Sequence, residues 1–292
     1  MSERILSVLR RRLEELGGRS GMASETKRNV LKEELQHYVL NFIYHHPEYA
    51  GWIMYGGSAL RMIHGLGRMS VDLDFEIPRK ITDGFLETLK KEIGRHFTNA
   101  YGAASDFLAV KTTKERGVLL KFNIGRELNL GHPSNQVHVK VDLNSFAAPG
   151  TVAERRPINH GQLSFVINTY RMSTLMASKI AAIFLRGTRE VGKEMFEEKG
   201  RDIYDLLWYM NKKAVPDLAY LAAKGVDIRD LRDLFDKMTV RMNQVNDNNL
   251  RQDLMPLFVD NDYIGNWLKN WRESYMRLLE KYEINTIAEL ES

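Results

Sequence analysis

Residues 56–76, GGSALRMIHGLGRMSVDLDFE, contain the pattern that decides the fold. Polar and apolar residues alternate through VDLDFE at the end of this stretch, which is the period of a strand with one buried face. The apolar members predicted to point into a core are Val71, Leu73 and Phe75. Asp72 and Asp74 then project side by side from the opposite face.

This pair of aspartates predicts a metal site. Two carboxylates so close together repel each other unless a cation lies between them. Hard oxygen ligands suit Mg²⁺ (or Mn²⁺), which usually combines one or two carboxylates with the oxygens of a substrate phosphate. An Asp-x-Asp pair alone is also common on solvated strands, so Asp72 and Asp74 need a second feature to support the interpretation.

The glycine-rich segment upstream supplies that feature. Gly56-Gly57-Ser58 follows the apolar run 52–55 and precedes a helix predicted over 59–64. A strand, a glycine turn and a helix N-terminus present free backbone N–H groups to a phosphate. Such a triplet alone is usually only a turn. Together with Asp72 and Asp74, however, it favours nucleotide chemistry.

A third carboxylate is expected from a later strand. Residues 137–143, VHVKVDL, alternate again and place Asp142 on the polar face. Two-metal phosphoryl-transfer sites commonly use such a group to bind the metal that activates the attacking hydroxyl. The alternative is an exposed strand aspartate without a role.

Lys179 interrupts an apolar helix face. In the helix predicted from Ser173, the neighbouring positions of this face are apolar: Met172, Leu175, Met176, Ala182 and Ile183. A buried, unpaired ammonium costs several kcal/mol, so Lys179 needs an anionic partner or must extend to water. A triphosphate or a group of aspartates would be such a partner.

Two further aspartates follow in the segment KGRDIYDL. Asp202 and Asp205 are three residues apart and therefore share one helix face. Asp202 could also cap the helix or act as a first-turn acid, and either residue could form a purely structural ion pair.

The order of these motifs resembles a known family. Gly57-Ser58, a helix, Arg68-x-Ser70 and Asp72-x-Asp74 are similar to the signature of the polymerase-β-like nucleotidyltransferases. More narrowly, the chain resembles the AbiEii/AbiGii toxins of the AbiE (type IV) toxin–antitoxin systems. The thirteen residues from 59 to 71 exceed the spacing common in the superfamily, and the longer version fits the AbiEii-like pattern better.

The resemblance implies roles for individual residues. Asp72, Asp74 and Asp142 would bind the metal ions, and Gly57 and Ser58 would bind the β and γ phosphates. Lys179, in the matching segment Lys-Ile-Ala-Ala, and Arg68 would neutralise the leaving pyrophosphate. Asp205 would be catalytic, as the second aspartate of an Arg-Asp-x-x-Asp-Leu segment, and Asp202 would pair with Arg201 or Arg68.

The resemblance also implies a reaction. The expected function is transfer of an NMP group from an NTP to an RNA, with the tRNA 3′ end as the expected acceptor, arresting growth until a cognate antitoxin counters it. Two alternatives remain open: NMP transfer to a protein hydroxyl, and an NTP-binding regulatory module that performs no chemistry.

Composition limits the class of protein. The 292 residues include no cysteine, which excludes disulfides and thiolate metal sites. The net charge of +4 weakly favours a polyanionic partner such as tRNA. Without a bilayer-spanning apolar run or a signal peptide, we expect no membrane association and a cytoplasmic location.

The predicted fold class is α+β, with a polymerase-β-like nucleotidyltransferase domain containing a mixed β-sheet in residues 1–170 and a helical C-terminal domain in residues 171–292. Besides the elements above, the pattern predicts helices over 3–16, 24–45 and 83–97, and strands over 52–55, 107–112, 117–124 and 163–167. Helices fill the remainder, with breaks near 187–200, Pro216, Gly225 and Pro256.

Overall fold

The computed structural model describes residues 2–17, 22–114, 116–131, 134–146, 150–185 and 199–290. The chain divides into two compact units, one formed by residues 1–147 and 153–169 and the other by residues 148–152 and 170–292. The architecture is α+β, as the sequence predicts: a mixed sheet with helices forms the first unit, and the second is helical.

The helices of the first unit are α1 (Glu3–Leu16), α2 (Ser24–His45), α3 (Gly56–His64) and α4 (Asp83–Tyr101). The predicted bounds of α1 and α2 are confirmed. Helix α4 starts where Thr82 Oγ1 accepts a hydrogen bond from the Phe85 N–H, and it ends at Gly102, whose φ of +62° is the left-handed conformation that favours glycine.

The strands are β1 (Ile53–Tyr55), β2 (Asp72–Glu76), β3 (Leu108–Thr113), β4 (Gly117–Asn123), β5 (Gln136–Asn144), β6 (Ala153–His160) and β7 (Leu163–Tyr170). They form one seven-stranded sheet in the order β3-β4-β5-β2-β1-β7-β6. The pairs β2–β5 and β1–β7 are parallel, while β1–β2, β3–β4 and β4–β5 are antiparallel. Strand β2 therefore lies inside the sheet, with a partner on each side.

The burial of β2 follows the predicted alternation with two exceptions. Leu73 and Phe75 are fully buried, whereas Asp72 and Asp74 are half-buried. Val71 is half-exposed and precedes the strand, so its predicted place in the core is wrong. Glu76 shares the face of the aspartates by parity but is only 1% exposed; it is paired with Ile53 of β1 and with Asn144 of β5.

Strand β6 was not predicted from the sequence. Its residues AERRPINH have no continuous alternation, and most of them are exposed. Pro157 cannot donate a ladder hydrogen bond, but β6 is the last strand of the sheet and an edge strand tolerates proline. Its neighbour β7 also extends three residues beyond the predicted end at 167.

The helices of the second unit are α5 (Met172–Leu185), α6 (Gly200–Asn211), α7 (Leu218–Ala223), α8 (Leu231–Asn243), α9 (Asp247–Leu254) and α10 (Asn261–Leu290), with a 3₁₀ turn at Met255–Leu257. The breaks predicted at Pro216, Gly225 and Pro256 lie between or at the ends of these helices. The break predicted at 187–200 lies outside the described residues except for its last two.

No helix in the described ranges combines the length and the apolar character that crossing a bilayer requires.

Candidate functional site

A row of residues crosses four adjacent strands of the first unit. In the strand register Gly117 of β4 is paired with Asp142 of β5, Asp142 with Asp74 of β2, and Asp74 with Tyr55 of β1. Paired residues point to the same face of a sheet, and Asp72 shares that face because it is two residues from Asp74. The register thus brings Asp72, Asp74 and Asp142 to one face, and we call Gly117, Asp142, Asp74 and Tyr55 the cross-strand row.

The two oxygens of Asp142 have different surroundings. Its Oδ2 accepts a hydrogen bond from Lys140 Nζ at 2.6 Å, and the two side chains form an ion pair. Its Oδ1 is buried and has no hydrogen-bond partner among the described residues. On the β4 side the paired residue is Gly117, which contributes no side chain. An unpaired, buried carboxylate oxygen is costly in a folded protein and is typical of a ligand site.

These carboxylates suit a divalent cation. Oxygen atoms of Asp are the ligands that Mg²⁺ and Mn²⁺ prefer, and Asp142 Oδ1 has its coordination capacity free. In the part of the chain that the structure describes, however, no group of three or more His, Cys, Asp or Glu side chains is arranged to hold a metal ion. The donor chemistry fits the cation, while the ammonium of Lys140 neutralises Asp142 in this arrangement.

The glycine segment is the first turn of a helix. The sequence predicts a turn at 56–58 and a helix from Ala59, but α3 already begins at Gly56. Gly56 has a φ of +72°, and a Cβ added to it would lie 2.8 Å from Asp74 Oδ2. A Cβ on Gly57 would lie 2.5 Å from Arg68 Nη2. The positive φ therefore favours glycine at 56, and a side chain at 57 would require the Arg68 guanidinium to move.

The N-terminus of α3 has the properties of an anion site. No side chain caps this helix, and the Ser58 hydroxyl donates a hydrogen bond to the Tyr55 carbonyl at 3.3 Å. Ser58 is fully buried, so its hydroxyl stabilises the turn. The first backbone N–H groups of a helix have no intrahelical partner and carry the positive end of its dipole. They can bind a phosphate beside Asp74.

The loop from α3 to β2 is fixed to α2. Both carboxylate oxygens of Glu33 accept hydrogen bonds from Arg61, at 2.9 and 3.1 Å, and Oε1 also accepts one from the Ser70 N–H at 2.9 Å. Arg68 is buried in this loop, and its Nη1 donates a hydrogen bond to the Met69 carbonyl at 2.9 Å. These bonds hold the segment immediately before Asp72.

Tyr55 was missed by sequence reasoning, which treated it as the last apolar residue of a strand. Burial raises the pKa of its phenol well above the ordinary value, and the negative charges of Asp74 and Glu76 raise the pKa further. A hydrogen bond with Asn144 acts in the opposite direction, and Asp142 adds a smaller upward effect. The phenol is therefore a neutral hydrogen-bonding group among carboxylates at physiological pH.

The second unit contains a buried ionic cluster. Lys179 Nζ lies 2.8 Å from Asp202 Oδ1 and 2.8 Å from Asp205 Oδ2. All three residues are buried, so Lys179 meets anionic partners and does not extend to water. The sequence predicts Arg201 or Arg68 as the partner of Asp202, and the structure adds Lys179, a partner that the spacing does not indicate. Sequence reasoning recognised that Lys179 needed a partner but not which aspartates provide it.

Comparison with known proteins identifies the group to which these motifs correspond. A sequence model of the AbiEii family, described as "Nucleotidyl transferase AbiEii toxin, Type IV TA system", matches residues 40–287. No match was found among curated proteins.

Solved structures show distant similarity. One is JHP933 from Helicobacter pylori, at 15% identity and a TM-score of 0.45, covering 90% of this chain and 98% of that one. Another is an antigenic nucleotidyltransferase-like protein from Paracoccidioides brasiliensis, at 14% identity and a TM-score of 0.39, covering 78% of this chain and 97% of that one. These likenesses are too distant to carry an argument about the site.

Proposed function

The chain belongs to the AbiEii nucleotidyl transferase toxins of type IV toxin–antitoxin systems, and from this premise we propose that it transfers an NMP group from an NTP to an RNA. The proposed acceptor is the 3′ end of a tRNA, and the proposed consequence is growth arrest, relieved by a cognate antitoxin. The net charge of +4 and the pI of about 9.0 agree with a polyanionic acceptor.

The observation that carries this proposal is the cross-strand row. The register pairs Asp74 with Asp142, and the N-terminus of α3 begins next to Asp74. A phosphate-binding helix start beside a pair of carboxylates is the combination that phosphoryl transfer needs, since such catalysis consists mainly of positioning and charge stabilisation. This combination lies within the segment that the AbiEii family model matches.

Asp72, Asp74 and Asp142 are the proposed ligands of the divalent cations. Cations bound there would neutralise charge on the triphosphate and lower the pKa of the acceptor hydroxyl. Lys140 would then leave Asp142 Oδ2, because a cation at Asp142 replaces the charge that the ammonium now provides.

The backbone N–H groups at Gly57 and Ser58 are proposed to bind the β and γ phosphates. The uncapped N-terminus of α3 supports this role, and the buried Ser58 hydroxyl would contribute by fixing the turn rather than by contacting the phosphate. Arg68 lies directly against Gly57, so its guanidinium adds positive charge at the same helix start.

Lys179 is proposed to act on the leaving group, and Asp205, which the family pattern implies is catalytic, is proposed to act through Lys179. Lys179 would neutralise the leaving pyrophosphate, and Asp205 would orient Lys179 together with Asp202. The contacts with Asp202 and Asp205 fix the position of the Lys179 ammonium, and a pyrophosphate would have to replace one of these carboxylates as its partner.

A labelling experiment tests the reaction. The protein is incubated with Mg²⁺, total tRNA and each α-³²P-labelled NTP, and RNA and protein are separated afterwards. Label on the tRNA, lost after removal of the 3′ end, is the expected result. Label on protein alone would replace this proposal with transfer to a protein hydroxyl.

A growth experiment tests the toxin assignment. Cells expressing the wild-type chain without an antitoxin are expected to stop growing, while cells expressing Asp72→Ala at equal protein level continue. Equal growth of the two cultures would contradict the assignment.

A non-catalytic NTP-binding module is the second candidate, and one observation favours it. Lys140 neutralises Asp142, the carboxylate proposed to bind the second cation. This candidate predicts saturable NTP binding with no label on RNA or protein at any Mg²⁺ or Mn²⁺ concentration.

A further inference from the structure

A cavity of about 720 Å³ lies in the first unit, away from the residues of the cross-strand row. Its walls come from α1, α2, the end of α4 and the turn between β6 and β7. Small-molecule sites commonly have volumes between about 300 and 1,000 Å³. Most of the lining residues precede residue 40, where the match to the AbiEii family begins, so the family relationship assigns this cavity no role.

One wall of the cavity is a row of arginines. Arg4 and Arg11 are seven residues apart and lie on one face of α1, and Arg12 lies beside that face; all three line the cavity. The buried residues of the same helix, Ile5, Leu6 and Leu9, fix that face in position. Glu15 neutralises part of this charge, because Arg12 Nη1 lies 2.8 Å and Arg11 Nε 3.9 Å from its carboxylate. The wall therefore keeps an excess of guanidinium groups.

A buried phenol without a partner also lines the cavity. Tyr38 is 6% exposed, and its ring packs edge-on against Tyr101, with the ring centroids 5.2 Å apart. Its hydroxyl makes no hydrogen bond to any of the described residues. Burial raises the pKa of Tyr38 to about 12, so the phenol is a neutral donor at physiological pH. Because Tyr38 lines the cavity and its hydroxyl has no protein partner among the described residues, the hydroxyl is available to a ligand.

The remaining polar wall is rigid and carries negative charge. His160 Nε2 lies 2.8 Å from Glu34 Oε1, and the His160 ring stacks on His37 with a centroid distance of 3.7 Å. Burial opposes the ionisation of Glu34, but the hydrogen bond and charge of His160 outweigh burial and lower its pKa. The cavity therefore has arginines on one side, which can bind an anion, and the ionised Glu34 carboxylate on another, which can accept hydrogen bonds.

We propose that this cavity binds a small phosphorylated metabolite of about the size of a nucleoside monophosphate. Guanidinium groups bind phosphate with paired, charge-assisted hydrogen bonds, and three of them face this cavity. The Tyr38 hydroxyl and the Glu34 carboxylate then contact the hydroxyl or amino groups of the organic part. A nucleotide and a sugar phosphate both carry this chemistry, and the choice of probes distinguishes them.

Calorimetric titration of the full chain tests the proposal. Titrations in EDTA, which keeps divalent cations from the Asp72–Asp142 face, use AMP, ribose 5-phosphate and ribose as probes. Saturable binding of AMP or ribose 5-phosphate, with no binding of ribose, is the expected result. Tighter binding of AMP than of ribose 5-phosphate identifies a nucleotide, and equal binding identifies a sugar phosphate. Absence of saturable binding for both phosphorylated probes overturns the proposal.

Three variants locate the binding. Arg11→Ala combined with Arg12→Ala is expected to weaken binding by about tenfold or more, and Tyr38→Phe by about threefold. Arg10→Ala is the matched control on the same helix, because Arg10 pairs with Glu3 at 3.2 Å and does not line the cavity. Because the Arg11 side chain is 69% exposed, its removal should leave the fold intact, as checked by circular dichroism. Equal weakening by Arg10→Ala overturns the proposal.

Discussion

Asp74 and Asp142 are directly paired in the parallel register of β2 and β5. Like charges at paired positions of a sheet repel each other, so this arrangement reduces stability. Lys140 offsets the repulsion at Asp142, where its ammonium lies 2.6 Å from Oδ2. Two adjacent acids and a buried, unpaired carboxylate oxygen do not stabilise the fold, so their presence at one place indicates a functional site.

The variant Asp74→Asn is expected to separate these two effects. It should lower NMP transfer about 100-fold or more, because a charged ligand of the reacting centre is lost. The free energy of unfolding should stay the same or rise by about 0.5 kcal/mol, since a like-charge pair is removed. Labelled-NTP incorporation and urea unfolding measure the two quantities. Asp106→Asn, at an exposed turn of the same unit, serves as the control. Turnover by Asp74→Asn at the wild-type rate would contradict the assignment of Asp74 to the active site.

Substitutions of the glycines at the start of α3 should destabilise the protein. Gly56→Ala would introduce a Cβ 2.8 Å from Asp74 Oδ2 on a backbone with a φ of +72°, which is expected to cost about 1–3 kcal/mol. Gly51→Ala is the matched control five residues earlier, because a Cβ there meets nothing within 4 Å. Urea unfolding of both variants gives the comparison, and equal values for the two would contradict the proposed close contact.

Removal of Lys179 should leave an uncompensated buried charge. Lys179→Met is expected to cost about 3–5 kcal/mol of unfolding free energy, because Asp202 and Asp205 remain buried without the ammonium. Lys237→Met is the comparison in the same unit: Lys237 pairs with Asp233 but is 44% exposed, so its loss should cost less than the loss of Lys179.

Asp202→Asn and Asp205→Asn in the Lys179→Met background provide a second check on this cluster. They should recover much of the lost stability if the penalty comes from buried charge. A Lys179→Met variant as stable as Lys237→Met would show that the cluster is not buried as described.

The stability of the first unit should fall in mild acid. Burial lowers the pKa of His37 to about 4, and the charge of His160 adds to this effect. Between pH 6.5 and about pH 4, His37 is protonated in the unfolded chain but not in the folded chain. The free energy of unfolding therefore decreases as the pH is lowered through this range. Between pH 7 and pH 4.5, the His37→Gln variant should lose about 1–2 kcal/mol less unfolding free energy than the wild-type protein loses. Parallel stability curves for the two proteins would contradict this.

Much of the fold was predictable because the local signals agree with the tertiary structure. Helices α1 and α2 have the predicted bounds because glycine and proline end them, and the alternation in β5 gives its buried face correctly. Strand β6 was missed because an exposed edge strand has no buried face to produce an alternating pattern, and its proline argues against a strand.

The site was predictable in its residue types but not in its pairings. Spacing identified Asp72, Asp74 and Asp142 as acids on strand faces, but the register that pairs Asp74 with Asp142 depends on the order of strands in the sheet. Tyr55 was missed because its role depends on its neighbours on β2 and β5 and not on its own segment. The first turn of α3 was read as a loop because two glycines normally interrupt a helix, whereas a left-handed Gly56 starts this one.

The central position of β2 determines which parts of the molecule can move when a nucleotide binds. All five of its residues are paired with β5, and three are paired with β1 on the other side. Amides in such a strand exchange with deuterium only through large-scale opening. The backbone that carries Asp72 and Asp74 therefore stays in place. Any closure around a substrate must come from side chains such as Lys140 and from segments outside the centre of the sheet.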